Sequence, residues 1–136
     1  MNSALDTFTL AQGFSAAATA CGLKPTGALD MALIAAAGPC SAAGIFTTNR
    51  VKAAPVLYDQ EVLAHHAAAI RAVVINAGNA NACTGPRGAA NCRATAEMVA
   101  ERLGCAAGQV LVLSTGVIGR QLDMDKIARG VAGLTG

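Results

Sequence analysis

The chain has 136 residues and a net charge of +2, and its ten Lys and Arg residues are scattered from Lys24 to Arg129, a pattern that excludes a clustered nucleic-acid footprint. The longest uncharged stretch, Met31 to Asn49, is broken by Gly38-Pro39 and ends in Thr-Thr-Asn, so it falls short of the about 20 predominantly apolar residues of a membrane span. Hydrophobic residues make up 54% of the chain, but alanine supplies much of that and there are only three Phe and one Tyr; the core is expected to be thin, closely packed and dependent on neighbouring layers for cover.

Residues 1–136 show no internal repeat and no linker, so one domain-sized unit is expected, either an incomplete folding unit or part of an obligate assembly. Met1–Asp6 lacks a basic segment followed by an unbroken apolar run, so no export signal is expected and cytoplasm is the default compartment. Five cysteines form an odd count without a CxxC pair, which argues against a disulfide framework or a zinc site and for small buried thiols.

In chain order, Ala32–Ala35 and Gly44–Thr48 are short apolar runs either side of Gly38-Pro39, which predicts two strands joined by a turn. Val56–Tyr58 reads as a third strand. Asp59 then caps a helix carrying Val62, Leu63, His66 and Ile70 at helical spacing. Ala72–Asn76 is a β-branched strand, and Ala77–Gly88 a Gly- and Asn-rich loop suited to positive-φ backbone. Cys92, Ala96, Val99 and Leu103 share one face of a helix that stops at Gly104. Val110–Leu113 is a buried strand, Ser114–Gly119 a turn, and Met124, Ile127, Ala128 and Val131 line a last helix.

Chemistry is best concentrated at Ser114-Thr115-Gly116. A strand that delivers hydroxyls and glycine to the start of a helix offers unpaired N–H donors to a phosphate, a carboxylate or a developing oxyanion, although the same turn also serves as a plain helix cap. No GxxxxGK[ST] or GxGxxG follows any strand, which removes most support for a nucleotide. The asparagines of 76–81 either bind a polar ligand or only shape the backbone. His65 and His66 are adjacent on one helix, a poor spacing for one metal, with His66 expected half-buried and His65 solvated. Cys83 assisted by His66 lacks a third orienting group.

Four blocks in order give the chain a resemblance. They are Gly13-Phe14, Ala43–Asn49 with Ala53-Ala54-Pro55-Val56, Asn76–Gly85, and Ser114-Thr115-Gly116-Val117-Ile118-Gly119, with Leu122, Met124–Ile127 and Gly130-Val131 continuing the match. Together they resemble the glutamate N-acetyltransferase (ornithine acetyltransferase) family. The resemblance implies a precursor that cuts itself, freeing a threonine nucleophile at the start of a second chain. That threonine carries acetyl from N2-acetylornithine to glutamate, a step of arginine synthesis, with no metal or organic cofactor. By the same resemblance Thr115 and Gly116 stabilise the oxyanion. The nucleophile and the other substrate contacts lie beyond Gly136, so none is assigned in residues 1–136, and Thr135 lacks the surroundings of a cleavage junction.

The expected architecture is an α/β layered sandwich of mixed sheet and helices, completed by the downstream part of the precursor. The expected partners are the two small substrates and the second (beta) chain in a hetero-oligomer, without nucleic acid or membrane, and the 136 residues alone are expected to be inactive. Two alternatives stand beside this. One is a non-catalytic interaction domain whose Ser-Thr-Gly turn only caps a helix. The other is a related self-cleaving aminopeptidase, against which the Asn76–Ala82 block argues.

Overall fold

The computed structural model describes residues 9–135; the Met1–Asp6 segment read for an export signal lies outside them. The elements are β1 (Phe14–Thr19), β2 (Met31–Cys40), α1 (Ala54–His66), β3 (Ile70–Asn79), α2 (Gly85–Leu103), a 3-10 turn (Ala107–Gln109), β4 (Val110–Val117) and α3 (Met124–Leu134). They form the expected α/β fold with a mixed sheet. Strand order is β1-β2-β3-β4, with the first three antiparallel and β4 parallel to β3. A parallel neighbour needs a crossover, and α2 supplies it between β3 and β4.

One face of the sheet holds the core. Met31, Leu33, Ala72, Val74, Val110 and Val112 meet Cys92, Ala96 and Val99 of α2 and Ile127, Val131 and Leu134 of α3. Alanine and glycine at the contacts let the layers approach closely: a methyl group added at Gly130 would collide with Met31 Sδ. α2 ends where the sequence places it, on Gly104 in the left-handed conformation, with the cap N–H reaching back to Ala100 and Glu101. The opposite face of the sheet is less covered and shows Phe14, Ile34 and Leu113 to solvent. No helix among the described residues is long and apolar enough to cross a membrane.

Five expectations are corrected. The partner of β2 is β1, and Gly44–Thr48 runs unpaired: β2 continues through Gly38-Pro39 to Cys40 instead of turning there. Val56–Tyr58 belongs to the first turns of α1, started by Pro55, whose fixed φ and missing N–H suit that position. Asp59 is therefore mid-helix and caps nothing, while Ile70 opens β3. The Asn-rich segment is no long loop, since β3 runs on to Asn79 and α2 starts at Gly85, with Asn81 and Cys83 supplying the positive φ in between. Lastly, Ser114–Val117 is strand, not turn.

Candidate functional site

β3 and β4 run side by side to their C-terminal ends, pairing Asn76 with Ser114, Ala77 with Thr115, Gly78 with Gly116 and Asn79 with Val117. Ser114 Oγ donates to Asn76 Oδ1 at 2.6 Å across the strands. Gly78 and Gly116 both hold positive φ, +116° and +135°. A Cβ on Gly116 would overlap the carbonyl carbon of Gly78 and sit 2.5 Å from Asn79 N, so the two backbones meet as only glycine allows.

The asparagines build this corner. Asn76 Nδ2 donates to Asn79 O at 2.8 Å. Asn79 Nδ2 reaches Arg120 O and Gln121 O while its Oδ1 accepts from Asn81 N at 2.8 Å. Asn81, fully buried, donates to Gly88 O and accepts from Thr84 Oγ1, each at 2.8 Å. Both ends of each of the three amides are committed internally, which decides for backbone shaping over ligand binding.

Side chains alternate along β4, and the register puts Val112 and Ser114 with Val74 and Asn76 on the helix side. Thr115 therefore points to the open face, with Leu113, and is exposed. The same alternation orients the backbone. Val112 N–H points away from β3, because it donates at 2.9 Å to Asp59 Oδ1 on α1. Gly116 N–H, four residues on, points out along the same edge; the unusual φ of Gly116 acts only after that peptide unit. The Thr115 hydroxyl and the Gly116 N–H thus both lie at an uncovered strand edge.

Beside that edge is a cavity of about 550 Å³, lined by Phe46, Val56, Asp59, Ile75, Leu113 and Thr115 among others. Its lining is mostly apolar, and Thr115 is one of the few polar residues along it. Asp59 is 7% exposed. Burial pushes its carboxyl up to about 6 against the opposing pull of the Val112 N–H. The sequence reading missed this residue, although Pro55, Asp59 and Val62 form an i, i+4, i+7 stripe in which a carboxylate stands among apolar side chains.

The supposed helix start behind Thr115-Gly116 is absent. α3 begins only at Met124, capped by Asp123, whose side chain accepts from Lys126 N. Ser114-Thr115-Gly116 hence caps no helix and draws on no helix dipole, because all three are residues of β4 and α3 starts only at Met124. Cys83 and His66 line different cavities, which removes their pairing. His66 is exposed, not half-buried, its ring lying against Gly108. Among the described residues no group of three or more His, Cys, Asp or Glu is placed to hold a metal. Cys21 and Cys92 are buried thiols, Cys40 and Cys105 partly so, and Cys83 is exposed, against expectation.

Residues 15–136 match the family model described as the ArgJ family. The chain is 52% identical over 129 residues to an arginine biosynthesis bifunctional protein ArgJ of Streptomyces coelicolor, covering 94% of this chain and 33% of that one. It is 53% identical over 130 residues to the protein of the same name from Mycobacterium tuberculosis, covering 91% and 32%. The chain therefore spans about a third of the length of these curated relatives. Its fold superposes on the crystal structure of an ornithine acetyltransferase complexed with ornithine from Mycobacterium tuberculosis, with a TM-score of 0.87, 52% identity and coverage of 91% and 66%. A Bacillus halodurans arginine biosynthesis bifunctional protein gives a TM-score of 0.85 at 39% identity, covering 89% and 62%. The chain belongs to the ArgJ family.

Proposed function

We propose that this chain is the N-terminal, oxyanion-binding part of a self-cleaving acetyltransferase that moves acetyl from N2-acetylornithine to glutamate through an acyl-threonine intermediate. One observation carries the reading. Thr115 lies at the rim of an apolar cavity and the Gly116 N–H follows it on the same strand edge, where a Cβ on residue 116 would collide with the Gly78 backbone.

Attack of a threonine hydroxyl on the acetyl carbonyl forms a C–O bond and moves the carbonyl π pair onto oxygen. Two fixed donors meet that oxygen, and the amine leaves with a proton when the carbonyl re-forms. The acetyl ester then passes to the amine of glutamate by the same two steps. Donors already in place favour the tetrahedral species over the planar substrate.

The nucleophile belongs, in this scheme, to a second chain of the same precursor. Lengths support that: the same stretch fills 66% of the solved Mycobacterium chain but 32% of the encoded Mycobacterium protein, as suits a protein divided near its middle. The open sheet face supports a missing layer as well. In the complete acetyltransferase, Thr115→Ala is expected to lower kcat by about 10²-fold while KM changes little. Unchanged kcat removes the oxyanion role. Residues 1–136 alone are expected to transfer no acetyl group, and turnover by them without another polypeptide overturns the two-chain reading.

A further inference from the structure

Helix α1 is tied to the candidate site at two points. Its first N–H, on Ala54, donates to Asn81 O at 3.1 Å, in the turn that follows β3. Its sixth residue, Asp59, accepts the Val112 N–H of β4 at 2.9 Å. Those two anchors lie on either side of the Gly78–Gly116 contact, one on each strand's chain.

β4 is an edge strand, so β3 fixes only one of its sides. An edge with unpaired outward N–H groups is free to twist about its own axis. Twist there turns the plane of the next outward peptide units, those of Ser114 and Gly116. The Val112–Asp59 bond is the tie among the described residues that holds this outer side by a side chain. A carboxyl buried at 7% exposure is costly unless a specific bond retains it, and here that bond reaches the strand carrying Thr115 and Gly116.

We propose that Asp59 is a positioning residue for the acyl-transfer site: its Oδ1 fixes the twist of the free edge of β4, and so sets the direction of the Gly116 N–H beside Thr115. The inference rests on the oxyanion reading given above. What the site uses is an acceptor at this position, not a charge. Misplacement of a donor by a fraction of an ångström to 1 Å is enough to cost a large factor in rate.

The experiment compares Asp59→Leu, Asp59→Asn and Thr115→Ala with the parent in the complete acetyltransferase, measuring kcat and KM for N2-acetylornithine, with circular dichroism to check folding. Asp59→Leu keeps volume and removes the acceptor; it is expected to lower kcat about tenfold with KM within about twofold. Asp59→Asn keeps an acceptor oxygen and is expected to hold kcat within about threefold. A folded Asp59→Asn enzyme that loses tenfold or more in kcat overturns the inference even if Asp59→Leu fails to fold. So does a rise in KM in both variants, which assigns Asp59 to a substrate cation, or parental kcat in Asp59→Leu beside an impaired Thr115→Ala. Parental kcat in Thr115→Ala overturns the oxyanion reading itself.

Discussion

Asp59 and Asp30 are both buried, at 7% and 2% exposure, yet they titrate in opposite directions. Around Asp30 burial pushes the carboxyl up, but it accepts N–H groups from Cys21, Gly22 and Lys24 at 2.7 to 3.1 Å, and these outweigh burial and hold it at about 2. Its stabilising contribution is therefore present above the unfolded value and is lost as pH falls from 3.8 toward 2. Asp59 has one such donor, and burial wins, raising it to about 6. A raised carboxyl favours the neutral form in the fold, so stability is fully present below 3.8 and declines as pH rises through about 6. Tyr58 and Cys92 beside it stay neutral throughout, each raised to about 12, first by burial. Asp59→Asn removes this dependence. Urea unfolding at pH 4 and pH 7 is expected to show the variant gaining on the parent by up to about 3 kcal/mol over that interval. A constant difference at both pH values contradicts a raised carboxyl.

At the scale of elements, the asparagine block is the part of the site most specified by hydrogen bonds. Asn81→Ala removes the buried amide that donates to Gly88 O and accepts from Thr84 Oγ1, leaving that hydroxyl only its longer bond to Asn81 O, and is expected to cost about 2 kcal/mol or more in chemical denaturation. Asn91→Ala is the contrast, because its Nδ2 is already buried without a partner; about 1 kcal/mol or less is expected. Equal costs at the two positions count against the scaffold role. The same block explains which elements were legible from sequence. α2 and α3 read correctly because their apolar positions repeat at helical spacing and a Gly or an Asp marks an end. β1 did not, since Ser15-Ala16-Ala17-Ala18 has neither alternation nor β-branched residues and is a strand only because β2 pairs with it. Val56-Leu57-Tyr58 has strand-like residues inside a helix, and Pro55 was the better signal. Thr115 and Gly116 were singled out by local pattern and by the four-block resemblance, while their setting on a strand edge depends on a parallel pairing of residues 38 apart, which local pattern does not encode.

For the whole molecule, the uneven cover of the sheet separates a free domain from part of a larger one. Ile34 shares the open face with Val73 of β3 and Ala16 of β1, and is 38% exposed. If the rest of the longer protein lays a second layer on this face, Ile34 becomes buried only in the complete protein. Ile34→Glu then has two different effects. In residues 1–136 alone the carboxylate reaches water, so stability is expected to change by less than about 1 kcal/mol, and concentration-dependent self-association in sedimentation velocity is expected to fall as the apolar patch is broken. In the complete protein the same charge then enters a dry interface, and a loss of about 3 kcal/mol or more is expected, read as a lower thermal midpoint. The opposite assignment, in which this face stays open to solvent, gives equal small effects in both proteins. The comparison thereby tests the missing layer without any assay of acetyl transfer, so its outcome is independent of Thr115 and Gly116.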